Sequence, residues 1–213
     1  MSYNIEIIRK KQYETTEWSG GTTTEFYIYP EDSIYSHRDF KWRLSSAVVE
    51  VEHSTFTPLQ GVSRIIMIIE GEMRLYHEGH HKADLKAYEQ DSFSGGWTTT
   101  SFGKATDFNL MLAKGYKGKL EAIDLNKEEI KNIILRNNVK DVEKICRITE
   151  AFYIVKGHVE ISSEVKGKLK LNQGDLALVT KTHKGNTSDL KIYNNSEQET
   201  KIIRAKILKV KNV

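Results

Sequence analysis

One pattern occurs twice in the sequence, and this repeat limits the folds that the chain can adopt. Residues 65–75 and 151–161 each contain an apolar stretch, a turn of a charged residue and a glycine, and a second stretch of alternating apolar and polar residues. Alternation with a period of two is typical of β-strands, whose successive side chains point to opposite faces. A further turn follows each copy, at Glu89-Gln90-Asp91 and at Gly174-Asp175. The sequence therefore predicts an all-β chain with a diverged internal duplication.

The two copies predict two domains, residues 1–117 and 118–213, with a boundary at the glycines of residues 115–118. Short segments of strand composition, such as residues 22–29 and 40–52, alternate with turns in a rhythm that favours a sandwich or a barrel. The secondary structure of residues 126–140 has two possible interpretations, a helix or a strand. Asn126 and Glu129 resemble a helix capping box, whereas Ile133-Ile134-Leu135 also suits a strand.

Composition limits the binding partners and the cellular compartment that we expect for this protein. The 213 residues carry 32 basic and 29 acidic side chains, and no basic stripe is interleaved with stacking aromatics, so we expect no nucleic-acid partner. Cys146 is the single cysteine, which excludes an intrachain disulfide and fits a reducing cytoplasm. No secretory signal region and no apolar run of about 20 residues is found. We therefore expect a cytoplasmic protein that does not enter a membrane.

Two predicted strands each combine an apolar face with a polar one. In residues 107–112, Asp107 and Asn109 fall on the face opposite the apolar side chains, and in residues 42–47 Arg43 and Ser45 do the same. Two interpretations are open. The polar faces line a small-molecule pocket, or they face solvent, as one face of an antiparallel sheet commonly does.

Four short motifs occur in order over about residues 15–115. They are Trp18-Ser-Gly-Gly-Thr22, Trp42-Arg-Leu-Ser45-Ser-Ala47, Gly61-Val-Ser-Arg64 and Asp107-Phe-Asn-Leu-Met111. Together they resemble the HutD/Ves family, and the repeated rhythm of strands and turns resembles that of cupins. The resemblance implies a bicupin of two jelly-roll β-barrels. It also implies a homodimer, and a role linked in some bacteria to histidine utilisation and in others to stress or cold responses.

Metal ligation is not expected from this chain. Many cupins hold a metal ion with a His-x-His pair, a Glu and a later His, but the matching strand after Gly61 has Arg64, Ile66 and Ile68 in those places. Three histidines do lie close together in the sequence, around a predicted hairpin turn, and we interpret that turn as solvated (His77, His80 and His81). The predicted protein therefore needs no metal and no cofactor.

Arg64 interrupts an otherwise apolar strand. Burial of an unpaired guanidinium is very unfavourable, so Arg64 must face water, pair with an acid such as Asp107, or bind a ligand. A planar fork of donors suits a carboxylate, which makes Arg43 or Arg64 a candidate for holding one. The interpretations are compatible, because one arginine can pair with a protein carboxylate while the other faces the pocket.

Several polar groups complete the predicted site. Asp107 and Asn109, with Ser45 and Thr22, could recognise an amide or an imidazole, or could form a hydrogen-bond network within the fold. Trp18, beside the flexible Gly20-Gly21 pair, could close the pocket mouth or plug an open end of the barrel. The predicted ligand-binding residues are Trp18, Thr22, Arg43, Ser45, Arg64, Asp107 and Asn109.

Three functions fit these patterns. The leading hypothesis is a metal-independent binding protein for a small anionic metabolite with a carboxylate. One alternative is a metal-free isomerase or lyase with Asp107 as general base, although no nucleophile or partner acid accompanies that residue. Another is an interaction protein with a vestigial pocket, which a large exposed apolar patch would favour.

Overall fold

The computed structural model describes residues 3–135, 145–163, 166–182 and 189–211. Within these residues the chain forms 19 strands and two short 3-10 turns, at Lys10–Gln12 and Tyr35–His37. The strands are β1 (Tyr3–Ile8), β2 (Glu14–Trp18), β3 (Gly21–Tyr29), β4 (Trp42–Val49), β5 (His53–Thr55), β6 (Val62–Gly71), β7 (Met73–His77), β8 (Lys82–Leu85), β9 (Gln90–Ser94), β10 (Thr99–Phe102), β11 (Ala105–Ala113), β12 (Tyr116–Leu125), β13 (Ile130–Ile134), β14 (Ile145–Lys156), β15 (His158–Ser163), β16 (Gly167–Asn172), β17 (Leu176–Thr182), β18 (Asp189–Tyr193) and β19 (Thr200–Val210).

The N-terminal unit comprises residues 13–116 and contains two antiparallel sheets. The strand order is β2-β3-β4-β11-β6-β9 in the larger sheet and β5-β10-β7-β8 in the smaller one. Ile66 and Phe93 of the larger sheet and Leu75 of the smaller one belong to the same buried apolar cluster. Two antiparallel sheets packed around one core form a jelly roll, as the alternating pattern predicts.

The second unit repeats this architecture. It comprises residues 3–12 and the described residues from 117 onward, with the strand orders β1-β17-β14-β19-β12 and β13-β18-β15-β16. Its core includes Phe152, Ile161 and Leu190, all fully buried. The prediction of an all-β chain with two jelly rolls is confirmed.

The first strand lies in the second unit and not in the first. β1 pairs antiparallel with β17, from Tyr3 opposite Lys181 to Ile8 opposite Leu176. Tyr3, Ile5 and Ile8 are buried there. The predicted domain of residues 1–117 therefore differs from the structure at its N-terminal end, because the partner of β1 is distant in sequence.

The segment that follows β12 is a turn and a strand. Asn126 N donates to Glu129 Oε2 at 2.8 Å, the contact expected of a capping box, but no helix follows. Glu128 has a left-handed φ of 59°, and β13 begins at Ile130. The strand interpretation is correct for residues 130–134, and the rest of this ambiguous stretch, residues 136–140, lies outside the described residues.

Strand register brings the predicted polar residues to one face of the larger N-terminal sheet. β4 and β11 are neighbours, with Ser45 opposite Asn109 and Arg43 opposite Met111. On the other side of β11, Met111 is opposite Arg64 of β6. Residues directly opposite each other in an antiparallel pair share a face, so three adjacent strands present their polar side chains together.

Candidate functional site

A cavity of about 700 Å³ lies over this polar face of the N-terminal unit. Its floor comes from β4, β6 and β11. Its remaining lining comes from β2 and the turn after it, from β3, from the 3-10 turn at Tyr35–His37 and from the segment at residues 51–57. Such a volume is typical of pockets for small ligands. The polar faces of the two alternating strands therefore line a cavity, which is the geometry that the pocket interpretation requires.

Of the predicted site residues, Trp18, Arg43, Ser45, Arg64, Asp107 and Asn109 line the cavity, whereas Thr22 does not. Thr22 lies opposite Val48, which is 41% exposed, so this pair faces away. The next residue, Thr23, lies opposite Ala47, and both line the cavity. The prediction for Thr22 is wrong by one residue, and in a strand one residue reverses the face.

Arg43 is held by protein partners. Its Nε donates to Glu25 Oε2 at 2.5 Å, and a terminal nitrogen donates to Ser45 Oγ at 3.1 Å. Its guanidinium carbon lies 4.2 Å from the centre of the Tyr35 ring. This arginine therefore already has the paired carboxylate that a buried cation requires.

Arg64 has a different environment. It is only 7% exposed, and its guanidinium carbon lies 4.6 Å from the Phe56 ring centre and 5.4 Å from that of Phe93. Its Nε is buried with no hydrogen-bond partner among the described residues, and none of them forms a salt bridge with it. Burial lowers the pKa of Arg64 to about 10, although the nearby Asp107 and Tyr35 act in the opposite direction. The expected alternative of an ion pair with Asp107 is wrong.

Asp107 is oriented by the backbone of its neighbouring strand. Its Oδ1 accepts a hydrogen bond from Ala47 N at 3.1 Å, and its own carbonyl accepts one from Ser46 Oγ at 2.6 Å. Burial raises the pKa of Asp107 to about 6, against the lowering by the Ala47 bond, Arg64 and Arg43. A carboxyl with such a pKa changes its charge near neutral pH.

Asn109 presents a second unsatisfied group. It is 4% exposed, and its Oδ1 is buried without a hydrogen-bond partner in the described part of the chain. Buried acceptors are nearly always paired, so an isolated one beside a cavity indicates a missing donor. Together with Arg64, the site offers an unpaired donor group and an unpaired acceptor.

Sequence reasoning missed the aromatic and acidic groups that surround the arginines. Tyr35 and Phe56 line the cavity from segments outside the central strands, and Glu25 holds Arg43 from β3. An alternating pattern indicates which residues of one strand share a face, but it does not identify the loop that covers that face. These residues therefore carried no sequence signal.

The donor set of the cavity does not fit a cupin metal centre. Arg64 stands where a ligand would be, and a guanidinium cannot coordinate a cation. Ile66 and Ile68 belong to the buried apolar cluster of the N-terminal unit. Outside the cavity, the expectation that His77 lies in a solvated turn is wrong, because its side chain is fully buried.

Two jelly rolls in one chain define the protein as a bicupin. The family model HutD matches residues 10–198, so the chain belongs to the HutD family. A search of functionally curated proteins finds no significant match to the sequence. Within the described ranges, no helix has the length and apolar character needed to cross a bilayer.

Solved structures are similar over nearly the whole chain. A conserved protein of unknown function from Pseudomonas aeruginosa PAO1, PA5104, is 22% identical with a TM-score of 0.74, over 96% of this chain and 98% of that one. HutD from Pseudomonas fluorescens SBW25, in a formate condition, is 20% identical with a TM-score of 0.66, over 95% and 98%. YhhW from Escherichia coli is 12% identical with a TM-score of 0.70, over 99% and 100%. At these identities the likeness shows a shared fold.

Proposed function

We propose that this protein binds a small organic anion through Arg64 in the cavity of its N-terminal unit, without a metal ion. The observation that carries the proposal is the buried guanidinium of Arg64, which has no salt bridge to any described residue. A buried guanidinium without a hydrogen-bonded carboxylate is unfavourable, and a ligand carboxylate would supply that direct partner. Arg43 cannot take this role as readily, because Glu25 already occupies its Nε.

The remaining groups narrow the class of ligand. The free acceptor Asn109 Oδ1 requires an N–H or O–H donor, so the ligand combines a carboxylate with such a donor. The rings of Phe56 and Tyr35 in the lining suit a planar or apolar part of the ligand. Urocanate, formylglutamate and formiminoglutamate have these features, and the link of the family to histidine utilisation supports testing them first.

HutD from Pseudomonas fluorescens is described in a formate condition, and formate, the smallest carboxylate, is a further acid to test. A metabolite-binding bicupin of this kind could regulate histidine utilisation or a stress response. The proposal keeps the cytoplasmic location predicted from the sequence and the homodimer implied by the family resemblance.

Isothermal titration with urocanate, formylglutamate and formiminoglutamate tests the proposal. We expect saturable binding of one molecule per chain for at least one of them, and much weaker binding of its neutral amide. A loss of one charge-assisted hydrogen-bonded contact of about 1.5–3 kcal/mol corresponds to roughly 10- to 150-fold in Kd. Equal affinity for acid and amide, or no binding of any acid, would contradict the assignment of Arg64 as an anion anchor.

A second function is favoured by the position of Asp107, which is buried in the lining of the cavity and has a raised pKa. A carboxylate with a pKa of about 6 beside a cavity is suited to accept a proton near neutral pH, as an isomerase or lyase without a metal would require. Under this proposal, Asp107→Asn keeps ligand binding and loses turnover, which ¹H NMR of the incubated acids would follow. Unchanged spectra of all three acids after incubation with the wild-type protein would exclude this reaction for them.

A further inference from the structure

Three potential metal ligands converge at a second place in the N-terminal unit. His77 ends β7, His81 precedes β8, and Asp91 lies in β9. Their ligand atoms all lie within 4.8 Å of one another. His77 Nε2 is 2.8 Å and His81 Nε2 is 3.0 Å from the Asp91 carboxylate. This cluster does not line the cavity described above.

We propose that His77, His81 and Asp91 form a binding site for a divalent transition metal ion of the zinc type. Two imidazoles and one carboxylate are a ligand set that zinc uses where a coordination position stays open for water. Ligand atoms held about 2.0–2.2 Å from one zinc ion lie roughly 3.4 Å apart in a tetrahedral site. The observed nitrogen–oxygen distances are slightly shorter, so small outward movements would admit an ion.

His77 provides the rigid part of the site. It is fully buried, and its ring packs against Phe93 with the ring centres 4.4 Å apart. Its other nitrogen, Nδ1, lies 2.8 Å from the hydroxyl of the buried Thr99. Metal-binding histidines typically donate this second N–H to a neighbouring acceptor, which fixes the ring and its tautomer.

The Thr99 hydroxyl is compatible with both the free and the metal-bound site. Without an ion, His77 Nε2–H donates to Asp91, and Nδ1 accepts from the hydroxyl of Thr99. With an ion on Nε2, the proton resides on Nδ1, and the same hydroxyl oxygen accepts it. His77 Nδ1 keeps its hydrogen bond in the exchange, and the Thr99 hydroxyl changes from donor to acceptor.

The other two ligands, His81 and Asp91, give a metal ion access from solvent, and the ligand types determine which ion is preferred. The side chain of His81 is 42% exposed and that of Asp91 14%, so an ion can enter from solvent. His80, in the same turn, stacks on Trp97 with ring centres 3.7 Å apart and lies outside the convergent cluster. Imidazole ligands favour zinc, nickel and copper over magnesium, which prefers oxygen alone.

Titration of tag-free protein with zinc chloride tests the site, with magnesium chloride as the comparison ion. We expect one zinc ion per chain and no measurable magnesium binding. Asp91→Asn and His81→Ala should each weaken zinc binding at least about 10-fold, because the first replaces a charged ligand by a weaker neutral one and the second removes a ligand. Cobalt chloride should give visible absorption bands of a nitrogen- and oxygen-ligated ion in the wild type, and lose them in both variants.

His80→Ala is the matched control, since it removes a histidine from the same turn but no proposed ligand. We expect its zinc affinity to stay within about 3-fold of the wild type. Equal losses in His80→Ala and His81→Ala would show adventitious binding by surface histidines and overturn the proposal. Failure of the wild type to take up stoichiometric zinc would overturn it as well. If Asp91→Asn does not fold, the exposed His81→Ala carries the test alone.

Discussion

Replacement of Arg64 by methionine is expected to weaken carboxylate binding roughly 30-fold or more and, at the same time, to stabilise the ligand-free protein. Truncating one partner of a buried charge pair removes about 2–5 kcal/mol of binding free energy, which sets the size of the first effect. The second effect follows from burial of the guanidinium. Burial lowers its pKa to about 10, which corresponds to about 3 kcal/mol against the charged form in the fold.

Methionine has similar length and no charge, so it can occupy the space beside Phe56 and Phe93. The lost cation–π contact with Phe56 offsets part of the gain. We therefore expect the free energy of unfolding at neutral pH to rise by about 1–3 kcal/mol. In a chain of this size that is a rise of several degrees in the thermal midpoint, measurable by calorimetry without ligand.

Arg43→Met is the matched control, because the two arginines lie on the same sheet face. Arg43 is paired with Glu25 and bonded to Ser45, so its removal should leave those groups without their donor and destabilise the protein. Opposite signs for the two variants would separate a ligand-binding arginine from a structural one. A fall in stability in both would show that Arg64 has a structural role in the free protein, contrary to the proposal.

Much of the fold could be predicted because its signals are local. Alternation with a period of two and glycine turns at Gly71 and Gly157 are readable within ten residues, and both glycines have the positive φ that such turns require. The pairing of β1 with β17 left no such signal, since strand partners distant in sequence are chosen by packing of the whole unit. The contact of Asn126 with Glu129 was predicted correctly, but it caps a turn before β13 and not a helix.

The residues of the cavity floor could also be predicted from local signals, but the contacts among them could not. Alternation placed Arg43, Ser45, Asp107 and Asn109 on one face, and register then brought them together with Arg64. Which arginine is paired could not be predicted, because Glu25 reaches Arg43 across a strand pair whose register shifts between Glu25 and Tyr27. The proposal that Arg64 holds the anion depends on that assignment.

The burial of His77 was predictable from the sequence but was not predicted. A cluster of histidines around Gly79 has the composition of a solvated turn, and His80 and His81 fit that description. His77 is the last residue of β7, so alternation along the strand directs it inward with Met73 and Leu75. A period-two assignment of residues 73–77 would have predicted the burial of His77 from the sequence.

Asp107 combines with Arg64 to make anion binding depend on pH, and this dependence is the second large expected effect. The carboxyl of Asp107 has a pKa of about 6 in the folded protein, against 3.8 ordinarily. Between these values the folded state binds more protons than the unfolded state, so the free energy of unfolding falls as pH rises from about 4 to about 6. Above pH 6 the ionised, buried carboxylate destabilises the ligand-free protein by about 3 kcal/mol.

The same ionisation opposes an incoming anion. Below pH 6 Asp107 is neutral while Arg64 stays charged, and a ligand carboxylate with an ordinary pKa of about 4 is still largely ionised at pH 5. The affinity for formate or urocanate should therefore increase as pH is lowered from 7.5 to 5. If binding takes up one proton, the increase is at most about 10-fold per pH unit. Titrations at half-unit intervals would measure this slope.

Asp107→Asn should remove both dependences while it preserves the local structure, because the amide oxygen can still accept the hydrogen bond from Ala47 N. At pH 7.5 we expect this variant to be more stable than the wild type by about 1–3 kcal/mol and to bind the anion more tightly. Its affinity should be nearly constant across the range. A wild-type affinity that rises with pH would instead mean that ionised Asp107 accepts a hydrogen bond from the ligand, in which case Asp107→Asn would bind more weakly at every pH.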